Sequence, residues 1–440
     1  MPPPPAPLSG TVFDTDAEAT GLCRYVDASP SPFHACAEAA ARLEQAGFAR
    51  LTESAAWPTA PGRYYLERGG SLVAWSSEHA AGPTTGFRVV GAHTDSPNLR
   101  IKPQPDAHRA GWQTLGVEVY GGALLNSWLD RDLGISGRVA VRARDGIRQH
   151  LVQIDEPILR VAQLAIHLDR DVNDGLRLNP QQHLSPIWGV GTGPGDFGSF
   201  VADSVGAESP DVLGWDLMTH DLTPSRRIGR DQDLIAAPRL DNLATSYAGV
   251  RALLAAVDAP PSTPWVQALV LFDHEEVGSM SERGAFSTLL TAVLERIVHA
   301  AGGDREDYLR ALAGSVIASG DMAHATHPNY VDRHDPEHQI AVNGGPVLKI
   351  NAKLRYATDA LGAAAFASAC DQAEVPVQRF VSRSDMPCGS TVGPMTAALT
   401  GATTVDFGAP QLSMHSAREM CGALDPAMYA GALCAFLSPA

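Results

Sequence analysis

A group of acidic and histidine side chains directly follows an apolar run in the second half of the chain. The run Trp265–Leu271 has the length and composition of a buried strand. It is followed by Asp273, His274, Glu275 and Glu276. Burying an ionised carboxylate without a partner is costly, so these acids are either solvated loop residues or neighbours of a strong cation. Ligands in α/β proteins bind at strand ends, which makes the second interpretation worth testing against the remaining sequence.

Histidines and acids follow or flank apolar runs elsewhere in the chain as well. They are His93 and Asp95, Asp241, Asp321 and His324, and His415. If the runs are parallel strands, their ends share one edge of the sheet, and residues distant in sequence converge there. Histidine and carboxylate ligands without cysteine suit zinc, cobalt or manganese. Two ions need a carboxylate that bridges them, and a further carboxylate could take a proton from metal-bound water.

Each of these residues also has an ordinary structural explanation. A histidine at a strand end is commonly a capping or core residue. Asp241, two residues after Arg239, could be a helix N-cap or a salt-bridge partner, and Glu275 and Glu276 could be a solvated surface pair. These alternatives stay open for single residues, but the repeated pattern favours a metal site.

Composition sets the broad class of protein. A chain of 440 residues favours two domains, and a net charge of −16 argues against non-specific binding to nucleic acid or to anionic membranes. The six cysteines form no Cys-x-x-Cys pair, which argues against a disulfide framework or a thiolate zinc site and favours a cytoplasmic location. The segment Met1–Pro7 lacks the pattern of a secretory signal and is expected to be a short disordered arm. No apolar run approaches the roughly 18 residues of a membrane span.

The expected fold is α/β, with a mostly parallel sheet flanked by helices and an inserted, mainly β domain. Strands alternate with helices in residues 1–100 and 235–440, which predicts one discontinuous domain. Residues 101–234 contain short β-like pieces between glycine, proline and charged turns, which predicts the insertion. The predicted helices are Ala17–Ala28, Ala35–Gln45, Leu243–Val257, Ser287–Ala301, Asp359–Gln372 and Pro426–Leu437.

Seven motifs occur in order along the chain: Gly91–Pro97, Leu240–Asn242, Asp273–Ser279, Asp321–Ala325, His327–Tyr330, Asp385–Pro394 and Met414–Ser416. Together they resemble the aspartyl aminopeptidases, over about residues Ser29 to Cys421. The resemblance implies a zinc-exopeptidase fold that holds two Zn²⁺ ions per subunit, with Mn²⁺ or Co²⁺ as alternatives. It implies the removal of N-terminal residues from peptides by metal-activated water.

The same resemblance implies roles for individual residues. Asp241 would bridge the two ions and Glu275 would be the general base. His93 and Asp321 would complete one metal site, and Glu276 and His415 the other. Asp95 would orient His93, which is the usual carboxylate–histidine–metal arrangement.

Recognition of an acidic N-terminal residue, Asp or Glu, is a further expectation from the family. Lys349 would bind the substrate carboxylate, with His324 and Tyr356 as additional contacts. Without the family, Lys349 could equally be an edge-strand or snorkelling lysine. His167 matches a family histidine that reaches the active site of a neighbouring subunit, although by itself it would be an ordinary histidine on a half-buried element. The family therefore implies a homo-oligomer, and its relatives suggest a tetrahedral dodecamer.

Three other functions compete with this interpretation. The first is a two-metal aminopeptidase that prefers neutral or apolar residues. The second is a related amidohydrolase, such as a carboxypeptidase or a deacylase. The third is a non-enzymatic assembly protein on a peptidase fold, against which the full ligand set and Glu275 both argue.

Overall fold

Twenty strands and ten α-helices are present in the computed structural model, which describes residues 13–259 and 261–440. The helices are α1 (Thr15–Asp27), α2 (Pro32–Gln45), α3 (Pro180–His183), α4 (Phe197–Ser204), α5 (Leu240–Ala256), α6 (Leu289–Ala300), α7 (Arg305–Ala313), α8 (Ala360–Gln372), α9 (Gly393–Thr400) and α10 (Asp425–Leu437). The expected N-terminal arm, Met1–Pro7, lies outside the described residues.

The strands form three sheets. They are β1 (Ala49–Arg50), β2 (Arg63–Arg68), β3 (Ser71–Ser76), β4 (Phe87–His93), β5 (Asn98–Arg109), β6 (Trp112–Tyr120), β7 (Leu133–Ala143), β8 (Gly146–Leu159), β9 (Ile187–Val190), β10 (Val212–Asp221), β11 (Arg226–Ile228), β12 (Leu234–Ala237), β13 (Val266–Phe272), β14 (Val316–Gly320), β15 (Ala323–His324), β16 (Val347–Ile350), β17 (Gln378–Val381), β18 (Thr403–Gly408), β19 (Pro410–Leu412) and β20 (Glu419–Gly422).

The largest sheet has the order β1-β2-β3-β13-β4-β14-β18-β16-β17. Its central strands β13, β4, β14 and β18 are parallel, so their carboxyl ends lie side by side. Every residue of β13 is buried, as expected for an apolar strand covered on both faces. One face packs mainly against α1, α2, α5, α8 and α10, and the other against α6 and α7. The predicted α/β class is confirmed.

A second, antiparallel sheet has the order β8-β7-β10-β5-β6-β9 and its own apolar core, which includes Leu99, Ile135 and Phe197. A third sheet, β11-β12-β20-β19-β15, joins residues 226–237 to strands near the end of the chain. The division into domains at residues 101 and 234 stays a prediction. The described helices include none long and apolar enough to cross a bilayer.

Some local predictions were wrong at their boundaries. The second helix was expected to begin at Ala35, but α2 begins at Pro32. Proline is well tolerated in the first helical turn, and the Ser31 hydroxyl accepts a hydrogen bond from the backbone N–H of His34. Helix α7, which begins with a capping box at Asp304, was not predicted because its apolar positions are few.

Candidate metal centre

The acids and histidines selected from the sequence meet at the carboxyl edge of the central parallel strands. His93 is the last residue of β4, and Asp321 follows β14 directly. Glu275 and Glu276 lie in a short 3₁₀ turn, Glu275–Val277, after β13. The other two come from elsewhere: they are Asp241, at the start of α5, and His415, in the loop between β19 and β20.

The carboxylate of Asp241 lies between two histidines. Its Oδ1 is 3.4 Å from His93 Nε2, which is also 3.6 Å from Asp321 Oδ1. Its Oδ2 is 3.5 Å from His415 Nε2, which is also 3.3 Å from Glu276 Oε2. The two oxygens of one buried carboxylate therefore belong to two different groups of potential ligands. The donor atoms of each group lie within 4.8 Å of one another.

These separations fit a metal ion better than a set of hydrogen bonds. Good N–H···O bonds span about 2.7–3.2 Å. Two ligands that are each about 2.1 Å from a tetrahedral zinc ion lie roughly 3.4 Å apart. Asp241 Oδ1 and Glu276 Oε1 are buried and accept no hydrogen bond of good geometry from the described residues. The donor set could therefore hold two divalent cations that share Asp241.

The charge of the site also favours bound cations. Burial raises the pKa of the Glu275 carboxyl to about 8; His93 counters this effect and Asp321 reinforces it. Burial and the neighbouring Asp241 raise the pKa of Glu276 well above its ordinary value. A nearby divalent cation stabilises ionised carboxylates, so it would reverse both shifts.

Asp95 connects the two sides of the centre. It is fully buried and accepts hydrogen bonds from the backbone N–H groups of Glu275 and Glu276, each at 3.1 Å. Its backbone carbonyl lies 3.0 Å from His93 Nδ1, and its Oδ1 lies 3.4 Å from the same nitrogen. A proton on Nδ1 leaves the lone pair of Nε2 directed toward Asp241 and Asp321, as metal binding by histidine requires.

The first two polar residues after β13 hold the turn that presents the glutamates. Asp273 is buried, and its Oδ2 lies 3.0 Å from Arg283 Nε. His274 has a positive φ of 66°, and its Nδ1 is 2.7 Å from the hydroxyl of Ser281. The chain reverses at His274, so Glu275 and Glu276 follow in a tight turn. The contacts of Asp273 and His274 are structural, and sequence reasoning had left both residues without a role.

Two residues at the end of β6, in the six-stranded sheet, and just after it reach the centre, and both were missed in the sequence. The hydroxyl of Tyr120, at the end of β6, donates to Asp95 Oδ2 at 2.7 Å. The carbonyl of Gly122 lies 3.1 Å from His415 Nδ1, which leaves Nε2 of that ring for Asp241 and Glu276. A Cβ at Gly122 would lie only 3.1 Å from His415 Nδ1. The glycine pair after an alternating strand was the available signal for this close approach.

Glu419, on β20, is the third missed residue. It is buried; its Oε2 accepts the backbone N–H of Asp241 at 2.9 Å, and its Oε1 accepts that of His415 at 2.8 Å. One carboxylate thus fixes the backbone of two potential ligands. An acid in the short apolar strand Glu419–Gly422 was the signal for it in the sequence.

We expect Tyr120→Phe to weaken zinc binding about 10- to 100-fold, because Asp95 loses the phenol that orients it. Competition with a chromogenic chelator would measure the affinity. Tyr64→Phe is the matched control, since it removes a phenol hydrogen bond to the Ala60 carbonyl at a distant position. Equal zinc affinities in the two variants would contradict a positioning role for Tyr120.

Three of the predicted substrate contacts, Lys349, Tyr356 and His324, lie around the side chain of Phe380. Lys349, on β16, is 3% exposed; its Nζ is 3.6 Å from Asp321 Oδ2 and 5.3 Å from the centre of the Tyr356 ring. The Phe380 ring lies 6.5 Å from that of Tyr356 and 6.2 Å from that of His324. Because β16 lies between β18 and β17, Lys349 is not an edge-strand lysine.

His167 is not among these residues. It lies in an exposed segment without regular structure and makes no hydrogen bond or ion pair with the described part of the chain. Its neighbours Leu164, Ile166 and Leu168 are 55%, 50% and 75% exposed. In the single chain this segment presents apolar side chains to solvent.

Comparison with known proteins identifies the family. Residues 25–437 match the model of the aminopeptidase I zinc metalloproteases, M18. The chain belongs to the M18 family. A probable M18 family aminopeptidase 2 of Mycobacterium tuberculosis is 58% identical over 426 residues, which cover 96% of this chain and 98% of that one. The predicted resemblance is confirmed, and this M18 protein is a zinc-dependent hydrolase of the aminopeptidase type.

Two solved structures have the same fold as this chain. A chain in a complex of Ape4 and Nbr1 matches with a TM-score of 0.92 and 35% identity, covering 96% of this chain and 86% of that one. A chain of the Saccharomyces cerevisiae mApe1 dodecamer matches with a TM-score of 0.83 and 27% identity, covering 96% of both chains.

Proposed function

We propose that this M18 protein is a two-zinc aminopeptidase that removes acidic residues, Asp or Glu, from the N-termini of peptides. The observation that carries the proposal is the position of Asp241, whose two oxygens lie 3.4 and 3.5 Å from two different histidines. His93 and Asp321 complete one set of ligands with Asp241, and Glu276 and His415 complete the other. When bound, the ions lower the pKa of water and stabilise negative charge on the scissile carbonyl.

Glu275 carries the proton in this proposal. It takes a proton from the attacking water and later gives it to the leaving amine. Its position supports this role, because Asp95 holds its backbone N–H while its side chain lies next to His93 and Glu276. Asp95 and Tyr120 keep the turn in place during the reaction. The free N-terminal amine of the substrate binds among the acids of the centre, which restricts cleavage to the first residue.

Lys349 selects the acidic side chain. It is a buried ammonium group, and the nearest carboxylate, Asp321, is 3.6 Å away and belongs to the metal ligands in this proposal. A substrate carboxylate above Tyr356 would supply Lys349 with a partner of its own, and His324 would close the pocket. Burial strengthens such a charge-assisted contact because little water competes for it.

Replacing Lys349 by glutamine tests the preference. We expect kcat/KM for an N-terminal aspartyl peptide to fall about 100-fold relative to the leucyl peptide, since a charge-assisted contact of about 3 kcal/mol is lost. Lys353→Gln, at an exposed position nearby, is the control and should keep the wild-type ratio. A wild-type enzyme that prefers the leucyl peptide would support the neutral-preference alternative, and hydrolysis of N-acetylated peptides alone would support an amidohydrolase.

Assembly is part of the proposal. The mApe1 relative is a dodecamer, and we propose that this chain also forms a homo-oligomer, a tetrahedral dodecamer. Exposed Leu164, Ile166 and Leu168 support an interface there, because apolar side chains clustered on a surface commonly mark contacts. His167, within that segment, would then enter the active site of a neighbouring subunit. A monomer in sedimentation velocity experiments would contradict this assignment.

A further inference from the structure

A groove of 290 Å³ opens beside the proposed metal centre. Its walls include His324, Phe380, Met386 and the loop residues Ser413 and Met414, which directly precede His415. Neither Lys349 nor Tyr356 lines it. The His324 and Phe380 rings, 6.2 Å apart, line the groove on the side of Tyr356, whose ring lies 6.5 Å from that of Phe380.

Two arginines, Arg333 and Arg383, line the groove together with one acid, Asp335. The histidines His327 and His334 also line it, but each accepts a backbone N–H through a ring nitrogen and so adds no positive charge. Asp335 is already bound by a neighbouring side chain, since its Oδ1 lies 2.8 Å from His338 Nδ1. The positive charge of the lining therefore comes from the two arginines.

The two arginines differ in how they are paired. Arg383 forms two close contacts with Asp385, at 2.7 and 3.0 Å. Among the residues that the structure describes, the Arg333 guanidinium has only Asp332 as an acidic partner, at 3.9 Å, and the side chains of Arg333 and Asp332 are 65% and 80% exposed. An exposed pair at this distance contributes little, so Arg333 is the cation most available to a ligand.

We propose that the groove binds the part of the peptide beyond the scissile bond and favours negative charge there, with Arg333 as the contact. An extended peptide advances about 3.3–3.6 Å per residue, so a chain that leaves the metal centre past His324 enters the groove within a few residues. The ligand is a carboxylate, supplied either by an acidic side chain downstream or by the C-terminus of a short peptide. This inference rests on the proposed function and extends it to the leaving side of the substrate.

Matched peptides test the groove and separate the two sources of carboxylate. Asp-Ala-Glu-Ala-amide against Asp-Ala-Gln-Ala-amide varies the side chain, and Asp-Ala-Ala as free acid against its amide varies the terminus. One of the two pairs differs in the carboxylate that the groove binds. In that pair we expect the wild-type enzyme to favour the charged peptide by about five-fold in kcat/KM, mostly through KM. Added salt should reduce this ratio because Arg333 is exposed.

Variants assign the preference to Arg333. In Arg333→Gln the ratio should fall to about one, whereas Arg379→Gln, an exposed arginine outside the groove, should keep it. Ratios of one for both pairs in the wild type, or an unchanged ratio in Arg333→Gln, would overturn the groove assignment while leaving the proposed function intact. Failure to cleave any free N-terminal peptide would instead overturn the proposed function and the groove assignment with it.

Discussion

Replacing Glu275 by glutamine is expected to lower kcat by about 10²–10⁴-fold while the bound metal and the fold are kept. Glutamine has the size of glutamate but cannot take a proton from water. Glu275 does not belong to either of the two ligand groups that share Asp241, so both sets of proposed ligands stay complete. The hydrogen bond from its backbone N–H to Asp95 is also unaffected by a change of side chain.

The measurement combines steady-state kinetics on an aspartyl peptide with the zinc content and thermal unfolding temperature of the same sample. Glu282→Gln is the matched control, because this glutamate lies in the same loop with its side chain 67% exposed. We expect the control to keep wild-type activity. A Glu275→Gln enzyme of full activity would exclude Glu275 as the base.

Replacing Asp241 by asparagine is expected to have the second large effect, on zinc binding. The amide has one oxygen and one NH₂ group, so it can offer a ligand to one side only, and it removes a buried negative charge that both sides share. We expect zinc affinity to fall by more than about 100-fold, a larger loss than the removal of a group that only hydrogen-bonds to a ligand would cause. Peptidase activity should fall with it. Because Asp241 is 3% exposed, solvent cannot replace the missing oxygen readily.

Zinc content after dialysis against a weak chelator measures this loss, together with activity at saturating zinc. Asp258→Asn is the control, since its side chain is 71% exposed and pairs with Arg63 at the surface. Two tightly held ions in Asp241→Asn would show that Asp241 is not shared between them.

The convergence of His93, Asp321 and the two glutamates could be predicted because it depends on one rule. Apolar runs that alternate with helices become adjacent parallel strands, and the residues after them meet at one edge. Asp241 and His415 could be selected only by residue type and by resemblance. Asp241 lies at the start of helix α5, and His415 lies in a loop of the five-stranded sheet, so neither follows a strand of the central sheet.

Tyr120, Gly122 and Glu419 could not be predicted in the same way. Their positions depend on how the six-stranded and five-stranded sheets pack against the central sheet, and no local periodicity records that packing. Their hydrogen bonds run from Tyr120 to Asp95, from His415 to Gly122, and from the backbone of Asp241 and His415 to Glu419. The ligand types could thus be read from the chain, while the groups that orient them required the tertiary structure.

Anomalous diffraction at the zinc edge, on crystals of the zinc-loaded protein, tests the shared role of Asp241 most directly. We predict two peaks per chain, one between His93 and Asp321 and one between Glu276 and His415, each in contact with a different oxygen of Asp241. A single peak per chain, or a pair in which Asp241 contacts only one ion, would contradict the two-metal centre.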